Sequence, residues 1–285
     1  MEKIKKQFKY YFVGLLFLIT IFVWYAVCAE TRSGLTVAFL DVGQGDAIFI
    51  ESPNGNQLLL DAGPNDKVLR ELSKIMPFYD RSIDMIIESH PDKDHIGGFV
   101  EVLRRYNVDL AMEPGVHSKS AVYRELNNLI AEKGIKKILA RRGMRVDFGD
   151  GVYLNILFPD RDVSNVDTNT ASIVAKLVYG KTSFLLTGDS PKAIENYLVS
   201  VDGESLKSDV LKVGHHGSKT SASELFFGYV SPRYAIISAG AGNRYGHPHK
   251  ETIDLLDQFE IPILSTINLG TIKIKSDGKG IMIAN

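Results

Sequence analysis

One cysteine, Cys28, is all that the 285 residues contain. That excludes an internal disulfide framework and any thiolate cluster, so a bound metal has to be held by imidazole and carboxylate. Net charge is nearly absent as well: 33 Lys and Arg against 34 Asp and Glu give a formal charge of -1. A chain so balanced has no global attraction for polyanions, and any contact with nucleic acid has to be local. No low-complexity linker interrupts the sequence after Thr31, which argues for one domain over 31–285. With 45% hydrophobic and 24% charged residues, that domain can bury a core of ordinary size.

Long apolar runs are missing too, except at the start. Tyr10 to Ala29, "YYFVGLLFLITIFVWYAVCA", carries no charge and is long enough to cross a bilayer as one helix. It follows "MEKIKKQFK", with four lysines against one glutamate, a flank that favours a cytoplasmic N-terminus. Tyr10, Tyr11, Trp24 and Tyr25 stand near its ends, where amphipathic rings prefer the interface. The expectation is a single-pass membrane anchor over 1–30 with the remainder outside the cytoplasm. Two other readings are a secretory signal cleaved between "VCA" and Glu30, which would release a secreted domain, and a lipoprotein signal at "YAVC", with Tyr25 in place of the usual aliphatic residue.

Beyond residue 31 the periods alternate. "LTVAFLDV", "DAIFIES" and "NQLLLDAG" are strand-like runs joined by "GQG" and "SPNGN", a hairpin meander. "DKVLRELSKI", "GGFVEVLRRY" and "SAVYRELNNLIAEKG" have helical periods, with the strand "IDMIIES" among them. The second half repeats the alternation: strands "VYLNILFP", "SIVAKLVYG", "TSFLLTGD", "DVLKVGHHGS" and "YAIISAG", helices "PKAIENYLV" and "KETIDLLDQF", and a closing hairpin "TIKIKSDGKGIMIAN". A meander followed by alternating units in both halves implies an α/β fold in which two sheets pack face to face with helices outside, a four-layer αββα sandwich.

The stretch "SHPDKDHIGG" carries the chemistry. An apolar strand ends where His90, Asp92, Asp94 and His95 begin, four potential ligands within six positions of one loop. Pro91 stiffens the path, and Gly97 and Gly98 let backbone pass close to whatever the loop holds. Imidazole with carboxylate suits zinc, manganese or iron. Other candidates are weaker in isolation. Asp189 in "FLLTGD" reads alone as a turn residue. His215 and His216 in "KVGHHGS" read as strand neighbours pointing to opposite faces, so one enters a site, His216 by preference, while the other packs or orients it. "GQG" (43–45) lacks the third glycine of a nucleotide fingerprint and reads as a turn. The basic run "KGIKKILARRGMR" (133–145) reads as a solvated helix end and strand before a strand-binding surface.

Taken together, "LDVGQGDAIFI", "LLLDAG", "SHPDKDHIGG", "NTASIVAKLVYGKTSFLLTGD", "DVLKVGHHGSKTS" and "NRYGHPH" resemble, in order, the hydrolase domain of the ComEC/Rec2 family of DNA-uptake competence proteins, within the metallo-β-lactamase superfamily. The superfamily signature is HxHxDH, and Asp92 stands where its second histidine is usual. The resemblance implies two divalent ions, zinc or manganese, bridged by Asp189. His90 and Asp92 would serve one ion and Asp94 and His95 the other, with His216 and His247 completing the set or stabilising the leaving oxygen. Asp94 and His216 would be the catalytic residues. His247 is preferred over His249 as the last histidine; Asp61 would support the loop, with Ser218 near the site. Asn169 and Ser172 occupy the neighbourhood where another ligand histidine is common.

What the resemblance implies for activity is metal-dependent phosphodiester hydrolysis of DNA outside the membrane, in a competence role beside a separate channel protein, since one apolar span cannot itself form a channel. The same centre can open a small ester or a lactam, and a non-catalytic binding module on this fold is a third reading.

Overall fold

Alternation along the strands decides the layering. The computed structural model describes residues 2–29 and 34–284, with side chains for 7–25 in the first of these segments. The chain divides into two compact units, Met1–Ser33 and Gly34–Asn285. The first holds α1 (Glu2–Ala29), in which Gln7–Tyr25 is long and apolar enough to cross a membrane, with none of that stretch buried. The side chain of Cys28 and the cleavage point before Glu30 lie outside the described residues.

In the second unit the strands β1 (Leu35–Phe39), β2 (Ala47–Glu51), β3 (Gln57–Ala62), β4 (Ser82–Ile87), β5 (Asn107–Glu113) and β6 (Lys136–Leu139) form one sheet. The strands β7 (Arg145–Gly149), β8 (Val152–Phe158), β9 (Val174–Tyr179), β10 (Thr182–Leu186), β11 (Val210–Lys212), β12 (Tyr234–Ile237) and β13 (Ile263–Ser265) form the other. The closing hairpin of β14 (Ile272–Ser276) and β15 (Ile281–Ala284) returns to pair antiparallel with β1, so the first sheet runs β15-β14-β1-β2-β3-β4-β5-β6 and the second β13 through β7.

Successive side chains on a strand face opposite ways. On β3, Leu58 and Leu60 enter a core shared with Leu154, Leu177 and Phe184 of the other sheet, whereas Leu59 faces a second core with Val68, Val102 and Leu126. On β10, Phe184 and Leu186 point inward while Leu185 joins a third core with Leu198, Phe226 and Leu256. Three apolar layers therefore separate four structural ones. The outer layers are the helices α2 (Lys67–Leu72), α3 (Lys93–Ile96), α4 (Phe99–Arg105) and α5 (Ala121–Glu132) on the first sheet, and α6 (Lys192–Asp202), α7 (Glu224–Val230) and α8 (Lys250–Gln258) on the second, with α9 (Thr266–Leu269) after β13. The αββα arrangement read from the sequence is the one found. Strands β5, β6, β7 and β13 are additions to it; their mixed burial gives a weak alternating signal.

Parallel pairing positions the site. β3 to β6 are mutually parallel, as are β10 to β13, and the loops at the C-terminal ends of such strands are where α/β folds gather functional groups. Asp61 stands at the end of β3, His90 follows β4, Asp189 follows β10, and Ser238 follows β12. The strand reading of "DVLKVGHHGS" is corrected: β11 stops at Lys212, and His215 and His216 form a tight left-handed turn with φ of 50° and 55°. Strand alternation does not govern these two rings.

Candidate metal centre

Three histidines present the same face inward for three separate local reasons. Ser89 donates its backbone N–H and its hydroxyl to Asp61, at 2.8 and 2.6 Å, which leaves the Ser89 oxygen to accept from His90 Nδ1 at 3.0 Å. Asp61 also accepts from His95 Nδ1 at 2.8 Å. His216 Nδ1 lies 3.0 Å from the carbonyl of Ser238, which can only accept. In each ring the proton is therefore fixed on Nδ1 and the lone pair on Nε2. Those three Nε2 atoms are buried and have no hydrogen-bond partner.

They converge on Asp189. Its Oδ2 lies 3.8 Å from His90 Nε2, 3.4 Å from His95 Nε2, 3.5 Å from His216 Nε2 and 3.7 Å from His215 Nε2, while its Oδ1 is buried without a partner. Asp92 Oδ2 stands 3.7 Å from His90 Nε2 on one side, and Asp94 Oδ2 stands 3.4 Å from His216 Nε2 on the other. Without a proton or a metal ion among them these groups would be buried acceptors facing other acceptors, which costs free energy. Asp46, His95, Asp189 and His216 bring ligand atoms within 4.8 Å of one another, a spacing that suits a metal ion. The residues present fit a divalent cation held by imidazole and carboxylate.

Asp46 escaped the sequence reading. It follows the "GQG" turn, is buried, and stands 3.3 Å from His216 Nδ1. Lys212, fully buried at the end of β11, brings its ammonium within 2.6 Å of Asp46 Oδ2. The turn exists to make this approach: at Gly45, φ is +134° and a Cβ would fall 2.1 Å from the carbonyl oxygen of Asp94. No local pattern announces that contact, though Asp46 lies inside one of the quoted motifs. Gly97 and Gly98 serve a different neighbour from the one expected, since a Cβ at Gly98 would fall 2.0 Å from the carbonyl oxygen of Ala62 and one at Gly97 2.3 Å from that of Pro64. They seat the loop on the first sheet.

Charge follows this geometry. Burial and the neighbouring His95 push His90 down to about 3. Burial opposes a charge on His216, yet Asp189 and Asp46 raise it to about 9, and Asp189 with Asp61 raises His95 well above its ordinary value. The same rings, against the cost of burial, hold Asp189 well below the carboxylate range, and Lys212 with His216 lowers Asp46. Burial raises Asp61 and Asp92. Metal binding would displace the protons that His95 and His216 otherwise keep.

The remaining candidates lie around this cluster. His247 is pushed down to about 4 by burial and by His216 and His215, and its ring lies 6.1 Å from that of His216 and 5.3 Å from that of His215. His249 caps α8, accepts the N–H of Lys219 at 3.2 Å, donates its backbone N–H to Gly217 at 3.0 Å, and has its ring 4.9 Å from that of His247. Ser218 bonds Thr220, which holds His215 Nδ1 at 3.0 Å. Ser172 accepts the Asp189 N–H at 3.3 Å, and Asn169 leaves its Oδ1 buried and unpartnered. The seventh histidine, His117, bonds Tyr123 instead. Of the basic run 133–145, Lys137 pairs with Glu113, Arg141 and Arg142 bond backbone carbonyls, Arg142 also pairs with Asp202, and Arg145 lies over Tyr153. Those cations are engaged within the fold.

Known proteins agree with this architecture. The Metallo-beta-lactamase superfamily profile matches residues 40–241. ComE operon protein 3 of Bacillus subtilis is 32% identical over 256 residues, covering 84% of the chain and 33% of that protein. Recombination protein 2 of Haemophilus influenzae is 34% identical over 241 residues, covering 82% of the chain and 28% of that protein. The chain thus spans about a third or less of the length of these relatives. Among solved structures, Igni18, a metallo hydrolase from the archaeon Ignicoccus hospitalis, superimposes with a TM-score of 0.53 at 14% identity, covering 85% of the chain and 99% of that protein.

Proposed function

The chain belongs to the metallo-beta-lactamase superfamily, and from that premise we propose that it is a metal-dependent phosphodiesterase cleaving DNA outside the cytoplasmic membrane in a competence-related role. The observation that carries the reading is the convergence of three bare Nε2 atoms on Asp189 at the C-terminal ends of two parallel strand sets. The likeness to competence proteins favours a phosphodiester over a carboxylic ester or lactam. The apolar helix ahead of residue 30 agrees with a single membrane pass.

The donors suit zinc or manganese; were two such ions bound, His90 and Asp92 would hold one and Asp94, His95 and His216 the other, with Asp46 and Asp189 as further carboxylate donors. When bound, such ions supply Lewis acidity at the phosphoryl oxygens and a water acidic enough to act as nucleophile near neutral pH. The chain's own residues set the rest. Asp61 and Ser238 lock the tautomers that aim the lone pairs inward. Lys212 neutralises Asp46 and leaves the centre less negative toward an anionic substrate.

His247 has the opposite tautomer. Gln44 accepts the Gly240 N–H through its Oε1, which turns its amide nitrogen toward His247 Nδ1 at 3.5 Å. The ring then carries its proton on Nε2, and in this reading it donates to the oxygen that leaves as the phosphorus–oxygen bond breaks. The test is cleavage of labelled single- and double-stranded DNA by the full chain in detergent, with zinc, manganese or chelator, beside Asp94→Ala. Metal-dependent cleavage that falls by more than about a hundredfold in the variant is expected. Equal turnover in the metal-loaded variant would remove Asp94 from the mechanism, and no cleavage by metal-loaded wild type would remove DNA.

A further inference from the structure

The mouth of the centre carries a feature that the metal chemistry leaves unused. Beside Asp94 opens a cavity of about 390 Å³ lined by Lys67, Lys93, Arg244 and Tyr245. The three cations come from three separate segments: Lys67 from α2, with its ammonium against Gly43, Lys93 from α3, and Arg244 from the loop after β12. Among the described residues none has a carboxylate within ion-pair distance, and Asp94, which acts on Arg244 from further off, is the one acidic group lining the cavity. In a chain of net charge -1 this is a local excess of positive charge, in contrast to the engaged Lys137, Arg141, Arg142 and Arg145.

An aromatic platform stands with them. Tyr245 is 49% exposed, its ring is stacked on His247 at 5.6 Å and 22°, and its hydroxyl accepts from Arg244 at 2.7 Å. The Arg244 guanidinium lies 4.9 Å from the Tyr245 ring centre. Cations that track phosphates beside an aromatic face that stacks a base are the two elements of a single-strand groove. Stacking of this kind needs a base free of its complement, so a duplex cannot use the platform without local opening.

We propose that Arg244 and Tyr245, with Lys67 and Lys93, form a subsite that grips an unpaired nucleotide of a single strand next to the phosphate being cleaved. Tyr245 stacks the base, Arg244 and the lysines hold flanking phosphates, and the stack on His247 ties the bound base to the imidazole N–H that hydrogen-bonds the leaving oxygen in the reading above. This rests on the phosphodiesterase reading above and adds a preference for single strands.

The experiment uses the full chain in detergent with metal present. Fluorescence anisotropy measures binding of a labelled phosphorothioate-linked single strand, which resists cleavage, and of its duplex; turnover of bis(4-nitrophenyl) phosphate reports the centre without a neighbouring nucleotide. Tighter binding of the single strand is expected, with affinity about tenfold weaker in Tyr245→Ala and in Arg244→Ala and restored in Tyr245→Phe. Lys67→Ala and Lys93→Ala should each make the plot of log affinity against log salt shallower by about 0.7. Turnover of the small ester should stay within about twofold of wild type in Arg244→Ala, Lys67→Ala and Lys93→Ala. If the ester is hydrolysed while strand binding ignores the Tyr245 and Arg244 changes, or the duplex binds as tightly as the single strand, the subsite is wrong and the phosphodiesterase reading survives. If strand binding falls in the variants while wild type hydrolyses no phosphodiester, the subsite stands and the activity is wrong.

Discussion

Two places in the fold bury carboxylates, and they treat them in opposite ways. At the junction of α6 and α7, Glu195 gives one oxygen to the N–H of Ala222 at 2.9 Å and the other to the N–H of Ser223 at 2.7 Å. At the strand ends, Asp189 has one oxygen with no partner and the other among four imidazole nitrogens 3.4 to 3.8 Å away. Both groups are buried. Burial of a charge is therefore not what marks the centre; unsatisfied bonding capacity is. Glu195 is complete and holds the N-cap residue of α7 and the residue before it, whereas Asp189 and its neighbours are left with unsatisfied bonding capacity that a cation would fill.

The sharpest test of this contrast is to neutralise the incomplete carboxylate. Asp189→Asn should remove most of the bound metal measured by elemental analysis and lower hydrolysis by more than about a hundredfold. It should also abolish the rise in melting temperature that added metal gives wild type, because a ligand stabilises only the state that binds it. A variant that keeps its metal content and that rise would show Asp189 to be another structural carboxylate.

Asp61→Asn follows with a smaller effect. Asp61 sits at φ +57°, a conformation that Asn tolerates nearly as well, so the backbone is not disturbed further. An amide has one accepting oxygen for the three donors of Ser89 and His95, and it lacks the charge that makes His95 Nε2 a better ligand. Metal affinity should fall by about 10–100-fold, as for other residues that orient a ligand histidine, with the circular dichroism spectrum of wild type retained. Unchanged affinity in a competition titration would deny Asp61 that role.

How much of this was legible in the sequence depended on whether the signal was local. His90, Asp92, Asp94 and His95 fall within six positions of one loop, and the β-period runs around them fixed the four-layer arrangement without reference to anything distant. Asp46 depended on a long-range contact, the approach of its turn to the Asp94 backbone and to Lys212 on the other sheet. Lys212 itself ends a three-residue strand that is buried throughout, so a charge is buried there, the reverse of what composition suggests. His215 and His216 adopt left-handed backbone conformations that non-glycine residues seldom take, and an apolar run ahead of them reads as a strand continuing through. Tyr245 and Arg244 gained meaning only beside Lys67 and Lys93, which are far away along the chain.

The smallest predicted effect belongs to the complete carboxylate, and it concerns stability alone. Burial pushes Glu195 up to about 7, against the pull of its two backbone donors, from 4.5 in the open chain. Between these values the folded protein keeps a proton that the unfolded chain has lost. The contribution is thus fully present below about pH 4.5 and disappears as pH rises through about 7, a loss of at most about 3 kcal/mol. Glu195→Gln is neutral throughout and forfeits one of two accepted hydrogen bonds, costing about 1–2 kcal/mol at low pH. Urea unfolding from pH 5 to 8 in the presence of chelator should show wild type losing its advantage as pH rises, and subtraction of the two curves cancels every other titrating group. A difference that stays constant over this range would mean that the two backbone N–H donors outweigh burial, leaving Glu195 ionised in the folded state and making the two kinds of buried carboxylate electrostatically alike.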